Sequence, residues 1–192
     1  MTTLQDKKFA LDDIAKNVQA CQLCPLFEQA TRGVPGEGNP NADIFFIGEG
    51  PGKKEDELGR PFVGAAGKLL EQLLHHIGLT RNDVFIANVV KHRPPGNRDP
   101  LPEEAAACWP YLQKQVEIIQ PKILVLLGRH SLARFLPGQV ISQVHGKPLR
   151  KENLIYYPMY HPAAALYNGG LRDTMFQDMA RVPVILKKIS PQ

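Results

Sequence analysis

The sequence has no long hydrophobic run and no secretion signal. No uninterrupted apolar stretch approaches the ~20 residues that a membrane-spanning helix requires. The opening segment, MTTLQDKKFALDDIAKN, carries acidic residues and lacks the apolar core of a signal peptide. We therefore expect a soluble cytoplasmic protein with no membrane partner.

Cysteine is also scarce, with three residues in a chain of 192. An odd number of thiols in a chain without a secretion signal argues against a disulfide framework. Two of them, Cys21 and Cys24, lie three residues apart, directly after a predicted amphipathic helix. A redox Cys-x-x-Cys of the thioredoxin type normally follows a strand and opens a helix, so this spacing favours metal binding.

Neither sign of charge dominates the chain. Lys and Arg number 23 against 19 Asp and Glu, which gives a net charge of +4. This balance permits a polyanionic partner without demanding one. The length and the 43% apolar content fit a single domain over residues 1–192, which would bury roughly 70% of the surface of the unfolded chain.

The most informative stretch runs from Ile44 to Gly64. An apolar run, Ile44 to Ile47, predicts a buried strand, and a stiff turn, GEGPG at 48–52, follows it. The turn holds one acid, Glu49, at the end of the strand where open α/β sheets bind ligands. Phe62 follows on a second Pro/Gly-rich loop and is suited to stacking on a flat group. The alternative is an ordinary connection with a solvated Glu and a core Phe.

The remaining pattern alternates strands with helices. It predicts helices at 9–20, 65–77, 103–120, 131–136 and 173–189, the last broken near Pro183, and strands at 44–47, 82–90, 122–127, 139–150 and 154–157. Such alternation is typical of an α/β protein. We expect a three-layer α/β/α sandwich around a mainly parallel, roughly four-stranded central sheet.

Four side chains of different chemistry follow the apolar strands or lie in the loops beyond them: Glu49, Phe62, Asn88 and His161. Because the carboxyl ends of parallel strands share one edge of a sheet, these side chains should converge. Together they could stack a heterocyclic ring, pair with its edge and stabilise negative charge that develops on it.

The motifs that carry these residues resemble those of the family 4 uracil-DNA glycosylases. They are GEGPG at 48–52, GRPFVG at 59–64, NVVK at 88–91, RPPGNR at 93–98 and His161-Pro162. Several motifs in the right order are far more specific than one glycine-rich turn. The resemblance extends from Cys21 to the region after His161 and implies a uracil-DNA glycosylase-like fold.

The resemblance also implies a role for each residue of the site. Phe62 would stack on a flipped-out uracil, and the Asn88 carboxamide would read its N3 and O4 edge. His161 would hydrogen-bond uracil O2 as charge builds on the leaving base. Glu49 would position or activate water against the sugar C1′, and Gly50 would belong to the substrate-binding turn. The implied reaction hydrolyses the N-glycosidic bond of deoxyuridine in DNA and leaves an abasic site.

A metal centre is implied as well, at Cys21, Cys24, His92 and Cys108. Family 4 enzymes carry a four-iron four-sulfur cluster, but their third ligand is a cysteine where this sequence has His92. A related branch, the DNA-crosslinking X-type enzymes, shares this histidine. Three Cys and one His also form a normal structural zinc set, so zinc remains the alternative to iron–sulfur.

The X-type branch carries a basic insertion that ends in a second histidine, which traps the sugar covalently. The run from His92 to Cys108, HRPPGNRDPLPEEAAAC, contains neither. We therefore expect turnover, with an X-type covalent adduct as one alternative. A non-catalytic iron–sulfur module that binds nucleic acid is the other.

The expected partner is uracil-containing single- and double-stranded DNA, bound by a monomer. Basic residues around the site could contact phosphates, and Leu166 lies where related enzymes present a loop that wedges into the duplex. Any single one could instead be a solvated charge or an ordinary packed leucine. The expected contacts are Lys53, Arg93, Arg98 and Leu166, with Lys54 and Lys147 as further basic positions.

Overall fold

A computed structural model describes residues 3–189. Within that range the chain forms one six-stranded sheet and eight α-helices. The strands are β1 (Glu37–Gly38), β2 (Ile44–Gly48), β3 (Phe85–Asn88), β4 (Ile123–Leu127), β5 (Leu149–Lys151) and β6 (Leu154–Met159). The helices are α1 (Leu4–Gln19), α2 (Lys53–Leu58), α3 (Ala65–His76), α4 (Pro102–Ile119), α5 (Gly128–Phe135), α6 (Ile141–Val144), α7 (Pro162–Tyr167) and α8 (Gly170–Ile189).

The sheet is mixed and has the strand order β1-β3-β2-β4-β6-β5. Its four central strands, β3, β2, β4 and β6, pair in parallel. The edge strands β1 and β5 pair antiparallel to their neighbours. The carboxyl ends of the four parallel strands therefore meet at one edge, which is where ligands bind in sheets of this kind.

Helices cover both faces of the sheet, because its central strands are apolar on both sides. Phe46 and Val125 belong to the hydrophobic cluster that includes Leu69 to Leu74 of α3 and Met175 to Val182 of α8. The neighbouring residues in the same strands, such as Phe45, belong to the cluster on the other face, with α4 and α5. The alternation of side chains along each strand thus builds two cores and three layers.

The α/β class is confirmed, whereas the expectation of about four strands is too low. The two additional strands are the short antiparallel edges. β1 contains only Glu37 and Gly38, so it has no hydrophobic pattern and is formed by backbone pairing with β3. β5 is likewise largely exposed.

Two segments differ from the sequence expectation in kind. The predicted strand 139–150 is interrupted by the short helix α6, and only Leu149–Lys151 pairs in the sheet. The predicted break at Pro183 does not occur, since α8 continues through it to Ile189. No helix in the described range is both long and apolar enough to cross a bilayer.

Candidate active site

A cavity of about 360 Å³ opens at the carboxyl edge of the parallel strands. Each side chain predicted for the site lines it, together with Gly50 from the turn after β2. The remaining wall comes from the turn after β2, the loop between β3 and α4, the start of α3, and helices α2 and α7. The lining residues are Glu49, Gly50, Pro51, Gly52, Glu55, Phe62, Ala66, Asn88, Pro94, Asn97, Arg98, Asp99, His161, Ala163 and Tyr167.

Gly48, the last residue of β2, allows two functional side chains to approach the backbone closely. A Cβ atom at this position would lie 2.5 Å from both Asn88 Oδ1 and Phe62 Cζ. Only a glycine therefore permits the carboxamide and the ring to pack across the end of the strand. Asn88 ends β3 and is 2% exposed.

The Asn88 carboxamide is buried but incompletely paired. Its Oδ1 atom has no hydrogen-bond partner within residues 3–189. Buried polar atoms are almost always paired, because an unsatisfied one costs about 1–3 kcal/mol. An orphaned acceptor that lines a cavity is thus suited to a ligand that supplies the missing donor.

Phe62 lies in an unusual backbone conformation at the wall of the cavity. Its φ of 52° falls in the left-handed region, which bulky residues rarely adopt. The ring is 5% exposed and joins the core cluster that also contains Leu69. Its centroid lies 5.6 Å from that of the His161 ring, at an interplanar angle of 32°. Phe62 is therefore both a core residue and part of the cavity wall.

His161 follows β6 and forms the N-cap of α7. Its Nδ1 accepts a hydrogen bond of 3.2 Å from the Ala163 amide. Burial lowers the pKa of His161 to about 4, since it disfavours the imidazolium, despite an opposing contribution from Glu55. The ring is thus neutral at pH 7, and its Nε2 carries the proton as a donor.

Glu49 belongs to a group of charges that the sequence did not indicate. Its Oε2 lies 3.7 Å from His130 Nε2, and that nitrogen lies 3.3 Å from Asp99 Oδ1. Burial raises the pKa of Glu49, Asp99 raises it further, and His130 and Arg129 oppose the rise. The carboxylate therefore remains a better proton acceptor than an ordinary glutamate.

The donor atoms of Glu49, Asp99 and His130 lie within 4.8 Å of one another, a spacing that a metal ion could use. Arg129, however, donates from Nε to His130 Nε2 at 3.1 Å and from Nη2 to Asp99. A guanidinium already supplies positive charge to the group. We therefore interpret it as a charge network that surrounds Glu49.

Two further lining residues, Glu55 and Tyr167, were also missed. Glu55 is buried, and its Oε1 accepts hydrogen bonds of 2.9 and 2.8 Å from the amides of Val63 and Gly64. It therefore fixes the loop that carries Phe62. Tyr167 is 93% exposed at the end of α7. One of three consecutive acids at 55–57 and a surface tyrosine give no sequence signal that separates them from solvated residues.

Comparison with known proteins agrees with this arrangement. The model of the uracil DNA glycosylase superfamily matches residues 35–182. This chain belongs to that superfamily. It is 48% identical over 184 residues to the type-4 uracil-DNA glycosylase of Sulfurisphaera tokodaii, across 90% of this chain and 83% of the relative. It is 45% identical to the type-4 enzyme of Archaeoglobus fulgidus (95% and 96% covered) and 44% identical to that of Thermotoga maritima (93% and 95% covered).

Of the four residues predicted as metal ligands, the three cysteines lie near one another, and His92 lines a small cavity beside Cys21. The thiol of Cys24 is within hydrogen-bonding reach of Cys108, and Cys21 is near both. His92 is 4% exposed and shares the lining of a small cavity of about 130 Å³ with Cys21. The three cysteines form no disulfide.

Lys91 links Cys108 to the strand that ends at Asn88. Its amide donates to Cys108 Sγ at 3.4 Å, and its buried Nζ donates to Asn88 O at 3.0 Å and to Gln115 Oε1 at 2.8 Å. Burial lowers the pKa of Lys91 to about 7. A lysine is rarely found fully buried, so nothing in the pattern around Lys91 predicts these contacts.

The predicted DNA contacts lie around the mouth of the cavity or on nearby helices. Lys53 is exposed at the start of α2, and Leu166 is 49% exposed on α7. Arg93 donates from Nε to Asn97 Oδ1 at 2.7 Å. Arg98 forms a bidentate pair with the buried Glu104, at 2.9 and 2.6 Å. Arg98 thus stabilises the conformation of its loop by binding Glu104.

Proposed function

We propose that this superfamily member is a DNA-repair hydrolase that releases uracil from deoxyuridine in DNA and leaves an abasic site. The observation that carries this proposal is the unpartnered Oδ1 of Asn88 in a cavity walled by Phe62 and His161. Uracil presents an N3–H donor to that acceptor and its O4 to the amide nitrogen. Cytosine presents an acceptor at N3 and a donor at C4, so both contacts would be lost. The type-4 relatives, at 41–48% identity, support the same activity.

The neutral His161 supplies the electrostatic part of the proposed mechanism. Its Nε2–H would donate to uracil O2, where negative charge accumulates as the N-glycosidic bond breaks. Uracil is a poor leaving group until that charge is stabilised, so a fixed donor in a water-poor site contributes strongly. The Ala163 amide holds the tautomer that this role needs.

Glu49 supplies the second part of the proposed mechanism, at the sugar C1′. A carboxylate with a raised pKa near the cavity can orient a water molecule and accept its proton as the water attacks C1′. His130 lowers the pKa of this carboxylate and Asp99 raises it, so both residues influence the pH at which Glu49 ionises. His161 would thus stabilise the leaving base, while Glu49 would deliver the attacking water.

The cavity would take one nucleotide that has left the base stack. Flipping a base costs a few kcal/mol and costs least in single strands or mismatches. Stacking of Phe62 on the uracil ring would offset part of this free-energy cost. We assign phosphate contacts to Lys53, Arg93 and Arg98 and a wedge into the duplex to Leu166, because these residues lie in the elements that flank the cavity.

The cysteines and His92 fit an iron–sulfur cluster as their resident group. Thiolates and an imidazole are accepted ligands of such clusters, and the Lys91 amide already donates to Cys108 Sγ. Three Cys and one His also form a structural zinc set. We favour the cluster because the motifs of this chain resemble those of the family 4 enzymes, which carry one.

We assign the cluster a structural role, because the uracil-facing residues include no cysteine. Cys21, Cys24, His92 and Cys108 come from the segment after α1, the segment after β3 and helix α4. When bound, the group would cross-link these three parts of the chain. His92 lines the small cavity beside Cys21, which supports a ligand role. Turnover is proposed because the run from His92 to Cys108 lacks the second histidine with which the X-type branch traps the sugar.

The proposal is tested with end-labelled oligonucleotides that carry a single uracil, thymine or cytosine. We expect abasic-site formation with uracil alone and no protein–DNA adduct on denaturing gels. Glu49→Gln and His161→Ala should each lower the single-turnover rate by roughly 10²- to 10³-fold. Absence of uracil release from folded, metal-loaded protein would overturn the assignment, and a stable adduct would replace it with the X-type reaction.

A further inference from the structure

The backbone carbonyls of the Phe62 loop are held by an arginine that lies outside the active-site cavity. Arg81, in the segment between α3 and β3, donates from Nη1 to Phe62 O at 2.9 Å and from Nη2 to Pro61 O. Its side chain is 14% exposed. Glu37 in β1 orients the guanidinium by accepting from Nε at 3.0 Å and from Nη2 at 2.7 Å.

The loop needs this support because its conformation is strained and crowded. Phe62 has a φ of 52°, a conformation that surrounding contacts must maintain. On the side of α3, a Cβ atom at Gly67 would lie 1.8 Å from Phe62 O, so the helix approaches this carbonyl closely. A buried carbonyl without a donor is unfavourable, and Arg81 supplies two donors in one rigid fork.

We infer that Arg81 is a positioning residue for Phe62, which holds the ring in the orientation that faces the extruded base. The inference rests on the stacking role proposed above for Phe62. Arg81 binds the carbonyl side of the loop while Glu55 binds the amides of Val63 and Gly64. The ring is thus fixed by contacts to its backbone rather than by packing alone. Misplacement of a substrate-contacting group by about 1 Å can lower a rate 10²-fold.

Arg60 provides a matched control, because it binds the same carboxylate. Its Nε and Nη2 donate to Glu37 at 2.7 and 2.9 Å, and within residues 3–189 both of its side-chain hydrogen bonds go there. Arg60→Ala therefore removes a cation from Glu37 and leaves the carbonyl contacts of Arg81 in place. Arg81→Lys retains a positive charge but loses the fork that spans two carbonyls.

The kinetic test is a double-mutant cycle between position 81 and position 62, with single-turnover excision of uracil as the readout. We expect Arg81→Lys to lower the rate about tenfold and Arg60→Ala to change it by less than about twofold. In a Phe62→Leu background, Arg81→Lys should add less than about twofold, because the two residues act as one unit. An equal loss in both backgrounds would overturn the inference and make Arg81 a general brace of the fold.

A second readout does not depend on catalysis. The eight phenylalanines are replaced by 4-fluorophenylalanine, and the ¹⁹F signal of Phe62 is identified by its absence from Phe62→Leu. Arg81→Lys should shift or broaden this signal, whereas Arg60→Ala should leave it unchanged. An unchanged ¹⁹F signal of Phe62 in Arg81→Lys would overturn the inference even if the variant remains active. Failure of the wild type to release uracil sinks the proposed function instead, and the ring signal still decides the role of Arg81.

Discussion

Glu49 and His161 both act in their deprotonated forms, one charged and the other neutral, and their environments shift their pKa values in opposite directions. The proposed mechanism needs an ionised Glu49 and a neutral His161. Burial raises the pKa of Glu49 above its usual 4.5, and it lowers that of His161 to about 4. As the pH falls, Glu49 therefore loses its charge before His161 gains one. Activity should decline on the acid side with the titration of Glu49.

This order gives a prediction for Asp99, whose charge raises the pKa of Glu49. Asp99→Asn removes that negative charge, so Glu49 ionises at lower pH and the acid limb of the rate profile should move to lower pH. His130→Gln removes a group that lowers the same pKa and should move the limb to higher pH. The measurement is the single-turnover rate against pH.

Glu117 is exposed on α4 and serves as the control for the pH experiment. Glu117→Gln makes the same change in net charge as Asp99→Asn and should leave the profile in place. Identical profiles for the wild type and Asp99→Asn would show that the acid limb does not report Glu49.

At the scale of elements, the ends of the parallel strands explain why part of the site was predictable. The apolar runs end at Gly48 and Asn88, and parallel strands bring such ends to one edge whatever the details of the loops. The convergence of Glu49, Asn88 and His161 on one cavity therefore follows from sequence pattern and topology. Family resemblance supplied their chemical roles.

The residues that sequence reasoning missed lie on segments positioned by tertiary contacts. Asp99 lies in a Pro-rich loop that is held by the ion pair between Arg98 and Glu104. His130 reaches Glu49 because α5 begins at Gly128, immediately after β4. The hydrophobic periodicity of the sequence predicts neither the position of Asp99 nor the approach of His130 to Glu49. The segment that forms the four-residue α6 is predicted as strand because Val140, Ile141 and Val144 are β-branched residues, which favour strands. A helix of one turn is too short to show the hydrophobic periodicity of a helix.

The loop between β3 and α4 makes a separate prediction about DNA binding. Arg93 and Arg98 are both assigned to phosphates, but only Arg98 also neutralises the buried Glu104. Arg93→Gln should reduce the slope of log affinity against log salt by about 0.9 on duplex DNA. Arg98→Gln should reduce the slope similarly and also lower the melting temperature, because it leaves a buried carboxylate without its cation.

Binding isotherms at several salt concentrations and a thermal melt of each variant test this pair. Lys114, exposed on α4, is the control, and Lys114→Gln should retain the slope of the wild type. An unchanged slope for Arg98→Gln together with a lower melting temperature would contradict the phosphate contact and show that this arginine only stabilises its loop.

At the scale of the whole molecule, the proposed cluster joins parts of the chain that are distant in sequence. Its ligands lie on three segments between Cys21 and Cys108. If His92 completes the set, purified protein should be brown and contain iron and acid-labile sulfide. His92→Cys should keep the cluster, lower its reduction potential through the added thiolate charge and retain most uracil excision.

His92→Ala tests the same assignment by removal. It should lose iron and yield little soluble protein, because the cross-link between the three segments is then incomplete. Iron, sulfide and the visible spectrum are measured for each variant. Retention of iron and sulfide by His92→Ala with loss of excision would place this histidine in the active site instead.

The most direct test of the central claim is the number of uracil molecules released by each protein molecule from a single-stranded oligonucleotide that contains one deoxyuridine. Free uracil is quantified by mass spectrometry with the DNA in excess. We expect several uracils per protein molecule, an abasic product and unmodified protein. No free uracil would contradict the account at its base. Release that stops at one uracil per protein, with the DNA covalently attached, would contradict the turnover mechanism assigned to Glu49 and His161.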